Sequence, residues 1–149
     1  MLKIKNQLDT KLKIFSDLAE MSSPPRGWIF SIRKALNMSL RQLGEKMGIK
    51  PQSVHEIEDR EKNGTISINV LRQAGRALNM QFVYGYIPEG GSLDNMIEKR
   101  AHELAIEIVQ RTSVSMGLED QQTSEENIAQ AIEEKKDELI RKMPRHLWN

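Results

Sequence analysis

The sequence predicts a mainly α-helical fold with one short β-strand and a C-terminal helical extension. Apolar side chains recur every three to four residues along most of the chain, which is the period of an amphipathic helix. Serine residues stand where several of these stretches begin, as helix N-caps do. Only residues 80–88 change to a run of aromatic and β-branched side chains, which is typical of a strand.

The charge distribution and the lack of cysteine exclude some classes of protein and favour others. The 149 residues include 22 basic and 21 acidic side chains, for a net charge of +1, and no cysteine. The lack of cysteine excludes disulfide frameworks and thiolate metal sites and suits a reducing cytoplasm. The near-neutral total conceals an asymmetry, because residues 1–91 carry a net charge of +5 and residues 92–149 a net charge of −4. Such a split predicts an anionic partner for the first part.

The sequence lacks two targeting features. No apolar run approaches the roughly 18–20 residues that span a bilayer. The first residues carry scattered lysines and an aspartate without a small-residue cleavage site, which argues against a secretory signal. We therefore expect a cytoplasmic protein without a membrane partner.

Residues 1–21 are expected to form an N-terminal amphipathic helix, followed by a connector at residues 22–27. Leu8, Leu12 and Phe15 lie on one helical stripe beside four lysines. Two consecutive prolines in the connector end the helix, because they lack amide donors and favour extended conformations before them.

Residues 28–79 are expected to form a domain of four short helices. Their expected first and last residues, in chain order, are Trp28 and Asn37, Ser39 and Gly48, Pro51 and Asn63, and Ser67 and Asn79. The residues expected to face the core are Trp28, Ile29, Ile32, Leu36, Leu40, Leu43, Met47, Val54, Ile57, Val70, Leu71, Ala74 and Leu78.

Residues 80–149 are expected to hold the strand and two C-terminal helices, and to serve as the dimerisation or partner region. A single strand needs a partner from the same chain or from a second copy. The residues expected in a two-fold strand pair are Phe82, Val83, Tyr84 and Tyr86.

The two C-terminal helices have their own expected caps and anchors. Ser92 is expected to cap the first of them, which fades near Gly117. Thr123 and Glu126 fit a capping box for the second. In the tail that follows Pro144, the expected apolar anchors are Leu147 and Trp148.

Residues 39–58 carry the most informative pattern. A capped helix, a tight turn centred on Gly48 and a second helix with a polar outer face predict a helix-turn-helix. In that motif the second helix enters the major groove of DNA with its N-terminus first. The residues spaced to pack the two helices at a steep angle are Leu43, Met47, Ile49, Val54 and Ile57.

The region 28–79 resembles the lambda-repressor-like (Cro/repressor) helix-turn-helix family. A closer resemblance, to the bacterial family called mobile mystery protein A, extends over nearly the whole chain. It is carried by the segments PPRGW, IRKALNMSLRQLGEKMG, GTI at residues 64–66, FVY and the closing RHLWN. The first family often pairs an arginine of its first helix with a late glutamate of its recognition helix. Arg33 and Glu58 stand at those positions and are expected to form a buried structural pair.

These resemblances imply a sequence-specific DNA-binding transcriptional regulator, a homodimer that represses its own operon at a pseudo-palindromic double-stranded operator. The second family is typically encoded beside a Fic-domain protein, which implies a toxin–antitoxin setting. The alternative is therefore an antitoxin-like protein that binds and restrains a Fic-domain partner directly. The motif (S/T)xxxE(G/N), which many Fic inhibitors use, is not matched at Glu126 or Glu89, so this restraint would need another contact.

The resemblance places the start of the third helix of residues 28–79 against DNA bases. The base-contact candidates are Gln52, Ser53, His55 and Glu56. Gln52 can pair bidentately with adenine, and Ser53 can donate to a base or a phosphate. Glu56 departs from the glutamine or arginine often found there; a carboxylate either accepts from cytosine N4 or excludes wrong sequences. Pro51 also departs from the family pattern, because its side chain offers no polar group to a base.

Donors that flank this helix are expected to bind phosphates and to set the register on DNA. They are Ser39, Arg41, Gln42, Lys50, Arg60, Lys62 and Asn63. Asp59 and Glu61 oppose the positive field, so a modest salt dependence is expected. Two interpretations of the N-terminal helix stay open. Its lysines and Arg26 add an arm on DNA, or it packs on its own protein through the Leu8 stripe.

No catalytic site, metal or cofactor is expected, and the protein is not expected to be an enzyme. His55, His102 and His146 lie about 45 residues apart and lack the i, i+4 spacing of a metal site. The sequence contains no phosphate-binding glycine loop and no GxSxG segment.

Overall fold

The computed structural model of the protein describes residues 2–116 and 125–149. These residues are mainly helical, which confirms the predicted class. The α-helices are α1 (Leu2–Lys13), α2 (Trp28–Ala35), α3 (Leu40–Met47), α4 (Pro51–Asn63), α5 (Ile68–Ala77), α6 (Leu93–Met116) and α7 (Glu125–Lys142). Short 3₁₀ turns lie at Ser16–Leu18 and Arg145–Trp148. None of the described helices is both long and apolar enough to cross a membrane.

The predicted strand is wrong for the part of the chain that the structure describes. Residues 80–88 form no regular element, and the four strand candidates, Phe82, Val83, Tyr84 and Tyr86, lie on this irregular segment. Their β propensity is not enough, because a strand exists only as part of a hydrogen-bonded ladder. The other described segments form helices and turns, so none of them supplies the second strand.

The chain divides into two compact units, one of residues 20–85 and one of residues 1–19 with 86–149. The first contains ten basic and six acidic side chains, a net charge of +4. The second contains twelve basic and fifteen acidic side chains, a net charge of −3. The asymmetry seen in the sequence thus separates one unit from the other.

The unit of residues 20–85 has a core built from α2, α3, α4 and α5. Its buried apolar side chains are Ile29, Leu43, Val54, Ile57, Ala74 and Leu78. Each of these residues was predicted to face inward, so the helical periodicity is confirmed at the centre of the unit. It is wrong at the two ends of the first helix, where Trp28 is 41% exposed and Leu36 is 53% exposed.

A residue with left-handed backbone conformation follows the end of each of the helices α2 to α5 within two residues, and the sequence predicted this conformation for Gly48. These residues are Asn37, Gly48, Gly64 and Asn79, with φ angles of 51°, 73°, 77° and 58°. The amide of the next residue then bonds to a carbonyl of the last helical turn, at 2.8–2.9 Å in each case. This Schellman arrangement satisfies carbonyl groups that a helix end leaves free.

The predicted serine N-caps are also confirmed. The hydroxyl oxygens of Ser39, Ser67 and Ser92 accept from the amides three residues on, at 3.0, 3.2 and 3.0 Å. The predicted capping box of Thr123 and Glu126 lies outside the described residues. The serine caps thus fix the starts of α3, α5 and α6.

Gly44 allows the close approach of α3 to the turn that precedes α4. A Cβ atom on Gly44 would lie 2.6 Å from the carbonyl oxygen of Ile49, a main-chain atom that cannot rotate away. The amide of Ile49 also donates to the carbonyl of Gly44 at 2.9 Å. Glycine at position 44 is therefore required for the tight connection between the two helices.

The unit of residues 1–19 and 86–149 is held by apolar contacts between α6, α7 and the tail. Its buried residues are Ile97, Ala101, Leu104, Ala105, Leu139 and Leu147. Arg100 donates to the main-chain carbonyls of Leu147 at 2.5 Å and Asn149 at 2.9 Å, which holds the tail against α6. Leu147 is an anchor as predicted, but Trp148 is 53% exposed and the prediction for it is wrong.

α1 is shorter than predicted, and it contacts the start of α6. The helix ends at Lys13, and the chain continues in i to i−3 hydrogen bonds through Phe15 and Leu18. The Asp9 carboxylate accepts from the amide of Leu93 at 2.7 Å, and Lys5 forms an ion pair with Asp94. Leu8 of the predicted stripe is exposed, whereas Leu12 and Phe15 are half-buried.

Substituting Gly44 with alanine is expected to destabilise the unit by about 1–3 kcal/mol, the usual cost of forcing an extra carbon into a filled site. The higher helix propensity of alanine, about 1 kcal/mol, offsets only part of this cost. Urea denaturation followed by circular dichroism measures the change, and Glu45→Ala on the exposed side of α3 is the control. A Gly44→Ala protein as stable as the wild type would contradict the described turn.

Glu138 is expected to titrate far below a free glutamate. Its carboxylate accepts from Lys142 at 2.8 Å and Lys135 at 3.1 Å, and these hydrogen bonds lower the pKa of Glu138 from 4.5 to about 2. Because the folded pKa is the lower one, the resulting stability is present above pH 4.5 and is lost as the pH falls towards 2. A carboxyl-carbon NMR titration should show a higher midpoint in Lys142→Gln and an unchanged one in Arg141→Gln. A wild-type midpoint near 4.5 would disprove the assignment.

Candidate nucleic-acid interface

α4 has one buried face and one polar face. Val54, Ile57 and Glu58 are buried against the rest of the unit. Gln52, His55 and Glu56 are exposed and occupy positions i, i+3 and i+4, so they share one side of the helix. Ser53, between the faces, is half-buried. The structure therefore groups the four base-contact candidates in the N-terminal half of one helix.

The N-terminus of α4 is open. Lys50 is the N-cap residue and is exposed, but no side chain caps this end, and Pro51 occupies the first helical position. The amides of Gln52 and Ser53 donate to no carbonyl or side-chain oxygen of a described residue. Unpaired amides and the positive end of the helix dipole both favour an anion here, and Lys50 adds a full positive charge.

The start of α3 is closed by a capping box. The Ser39 hydroxyl oxygen accepts from the Gln42 amide at 3.0 Å, and the Gln42 side-chain oxygen accepts from the Ser39 amide at 2.8 Å. Both oxygen atoms serve the helix, but the NH₂ group of the Gln42 side chain is still a donor. Gln42 therefore keeps its NH₂ group as a donor for a phosphate, on an exposed side chain that the capping box holds in place.

Two further candidates make ion pairs along their own helices. Arg41 lies 3.8 Å from Glu45, and the His55 ring lies 3.4 Å from Asp59. All four side chains are exposed, and such surface pairs contribute only about 0–1 kcal/mol. Neither contact therefore prevents Arg41 or His55 from reaching a ligand.

The remaining phosphate candidates lie at the other end of α4. Arg60, Lys62 and Asn63 are exposed in its last turn. Since a helix rises 1.5 Å per residue, Arg60 is about 12 Å along the axis from Gln52. The predicted site residues of α4 thus lie in two groups, one in its N-terminal half and one in its last turn.

Glu61 has a structural role that the sequence did not indicate. Its carboxylate accepts from the amides of Trp28 at 2.9 Å and Ile29 at 2.8 Å, so it caps the N-terminus of α2. Gly27 makes room, because a Cβ there would lie 2.9 Å from this carboxylate. Glu61 therefore caps α2 in addition to carrying the negative charge that was expected to oppose the positive field. The available signal was that α2 has no serine, threonine, asparagine or aspartate at its own N-cap.

The structure brings Arg33 and Glu58 together in the interior. Their side chains are 5% and 4% exposed, and the guanidinium donates to both carboxylate oxygens, at 2.6 and 3.0 Å. A third bond runs from Arg33 to the main-chain carbonyl of Met38 at 2.9 Å. No buried polar side-chain atom of the described residues lacks a partner, so this ion pair is fully satisfied.

Comparison of the chain with protein-family models, curated proteins and solved structures gives no match. The resemblance to lambda-repressor-like proteins therefore stays a prediction from motifs. The described residues also contain no cluster of three His, Cys, Asp or Glu side chains that could hold a metal ion.

Removing the arginine of the buried pair is expected to cost about 3–5 kcal/mol, because Arg33→Ala leaves the Glu58 carboxylate buried without a counter-charge. Denaturation midpoints measure the loss, with Lys34→Ala, an exposed neighbour on α2, as the control expected to stay near the wild type. An Arg33→Ala protein within about 1 kcal/mol of the wild type would show that this pair does not hold α2 to α4.

Proposed function

We propose that the protein is a sequence-specific DNA-binding transcriptional regulator with a lambda-repressor-like helix-turn-helix domain. It binds a pseudo-palindromic operator as a homodimer and represses its own operon. The observation that carries this proposal is the α3–α4 pair. A tight turn joins two short helices, and the second of them is buried along one side and polar along the other.

The dimensions of α4 suit the major groove. Its 13 residues give a rod about 20 Å long and 10–12 Å wide with side chains, and the groove of B-DNA is about 12 Å wide. The open N-terminus of α4 enters first, where free amides and Lys50 meet the phosphates at the groove edge. Gln52 is then the first side chain with both a donor and an acceptor for a base edge.

Charge supports the same orientation. The unit that contains α3 and α4 has a net charge of +4, whereas the other unit is acidic. The buried pair of Arg33 and Glu58 removes one charge of each sign, so the other side chains of this unit still have a net charge of +4. Lys50, Arg41 and the group at Arg60 are exposed and available to phosphates.

Glu56 serves specificity in this proposal. It is exposed one turn after Gln52 on the same face of α4. A carboxylate there accepts from cytosine N4 and repels a phosphate or an acceptor-only base edge. In this proposal the Gln52 side-chain amide stabilises the complex with the correct operator, and the Glu56 carboxylate destabilises complexes with incorrect ones.

The test begins with selection of bound DNA from random sequence, followed by binding measurements on the selected operator and its single-base variants. Gln52→Ala is expected to lose about 1–3 kcal/mol of discrimination at one base pair. Lys50→Ala is expected to weaken binding to all sequences alike and to lower the salt slope by about one.

Gln110→Ala provides a matched control, because it removes another exposed glutamine, on α6 in the acidic unit. It is expected to leave affinity and base preference unchanged. If Gln52→Ala keeps the full base preference of the wild type, α4 is not the reading helix and the proposal fails.

A further inference from the structure

A small cavity lies between α3 and α5 in the basic unit. Its volume is about 290 Å³, and its lining residues are Lys46, Met47, Gln73, Arg76 and Ala77. Lys46 is in the last turn of α3, and Gln73 and Arg76 are exposed residues of α5. Two cations and one side-chain amide therefore meet at a single concave surface.

The charges of this cavity are not neutralised by neighbouring side chains. Within residues 2–116 and 125–149, the side chains of Lys46 and Arg76 form no ion pair and no hydrogen bond. Glu45, the acidic residue of α3, lies 3.8 Å from Arg41 instead and does not line the cavity. The sequence has no acidic residue from position 62 to position 88, so α5 brings none. A cleft lined by charges of one sign concentrates the field and attracts ions of the opposite sign.

The helix ends beside the cavity do not need these cations as caps. The carbonyls of Gly44 and Gly75 already accept from the amides of Ile49 at 2.9 Å and Met80 at 2.8 Å. A cation in a last helical turn also gains from the helix dipole, but this gain does not require two cations and an amide to face one cavity. The side chains of Lys46 and Arg76 are thus available to a ligand.

The neighbouring arginine of α5 has a different environment. The Arg72 guanidinium lies 5.6 Å from the centroid of the Tyr84 ring, and Arg72 does not line the cavity. Arg72 and Arg76 are one turn apart on the same helix and both are exposed. The pair therefore allows one charge inside the cavity to be compared with an equal charge outside it.

We infer that this cavity binds a small molecule that carries a doubly charged oxyanion, either a phosphate ester or a dicarboxylate. The planar guanidinium of Arg76 offers parallel donors that fit two oxygens of such a group. Lys46 adds a compact positive charge, and the NH₂ group of Gln73 adds a neutral donor. The volume of about 290 Å³ is close to the lower limit for ligand sites, which suits a ligand of metabolite size.

The cavity is distinct from the exposed face of α4. None of its lining residues belongs to α4 or to the candidates for base or phosphate contact. The inference therefore goes beyond the proposed DNA binding and does not rest on it.

Titration of the full chain with inorganic pyrophosphate, and separately with citrate, tests the site at constant ionic strength. Amide NMR signals of residues 46–47 and 73–77 are expected to shift and to saturate with at least one of the two probes. The denaturation midpoint is expected to rise with the concentration of that probe, because a ligand that binds only the folded state stabilises it. Tighter binding of pyrophosphate would assign a phosphate ligand, and tighter binding of citrate a dicarboxylate.

Matched charge variants test the assignment to the cavity. Arg76→Gln and Lys46→Gln are each expected to weaken binding about tenfold or more, the factor that one charge-assisted hydrogen bond supplies. Arg72→Gln removes the same charge from α5 outside the cavity and is expected to bind like the wild type, because salt screens an exposed charge at a distance. Circular dichroism and urea denaturation check that the variants are folded.

Three outcomes would overturn the inference. Neither probe gives saturable shifts, or Arg72→Gln loses as much affinity as Arg76→Gln, which would show diffuse attraction without a site. In the third, the shifts lie at the start of α4 and disappear in Lys50→Gln, which would place the anion at the end of that helix. None of these measurements contains DNA, so each outcome leaves the DNA-binding proposal to its own experiment.

Discussion

The buried ion pair of Arg33 and Glu58 is the interaction on which the geometry of the basic unit depends. It joins α2 to α4 in the interior, where neither charge can be satisfied by water. Burial of two ions is costly, and here a bidentate contact and the Met38 carbonyl offset that cost. Glu61 makes a second link from α4 to α2 one turn further on. The polar face of α4 is therefore presented on a helix that cannot rotate freely.

Acidic residues of α4 thus have different roles according to the side of the helix that they occupy. Glu58 and Glu61 lie towards α2 and serve the fold, whereas Glu56 and Asp59 are exposed. A charge count treats these four alike, although Glu58 and Glu61 are hydrogen-bonded to groups of α2. The distinction explains how a helix with more carboxylates than cations can still present an open, positive N-terminus.

Residues 80–85 show that local β propensity alone does not form a strand. Residues 80–85 have the side chains of a strand, but in a single chain they have no partner ladder. Their main-chain groups are left to solvent, which is tolerated only because the segment lies at the surface.

The sequence by itself determined the features that depend on neighbours a few residues apart. Serine caps, the left-handed turn at Gly48 and the inward positions of the central core follow from local geometry and helical period. It also placed the candidate reading residues together on α4, because they lie within five positions. Only the tertiary structure decided that Glu61 caps α2, that Asp9 bonds to the start of α6, and that residues 80–88 form no strand. Those outcomes join groups 32 to 84 residues apart or need a partner strand, and no local pattern encodes which distant group will be present.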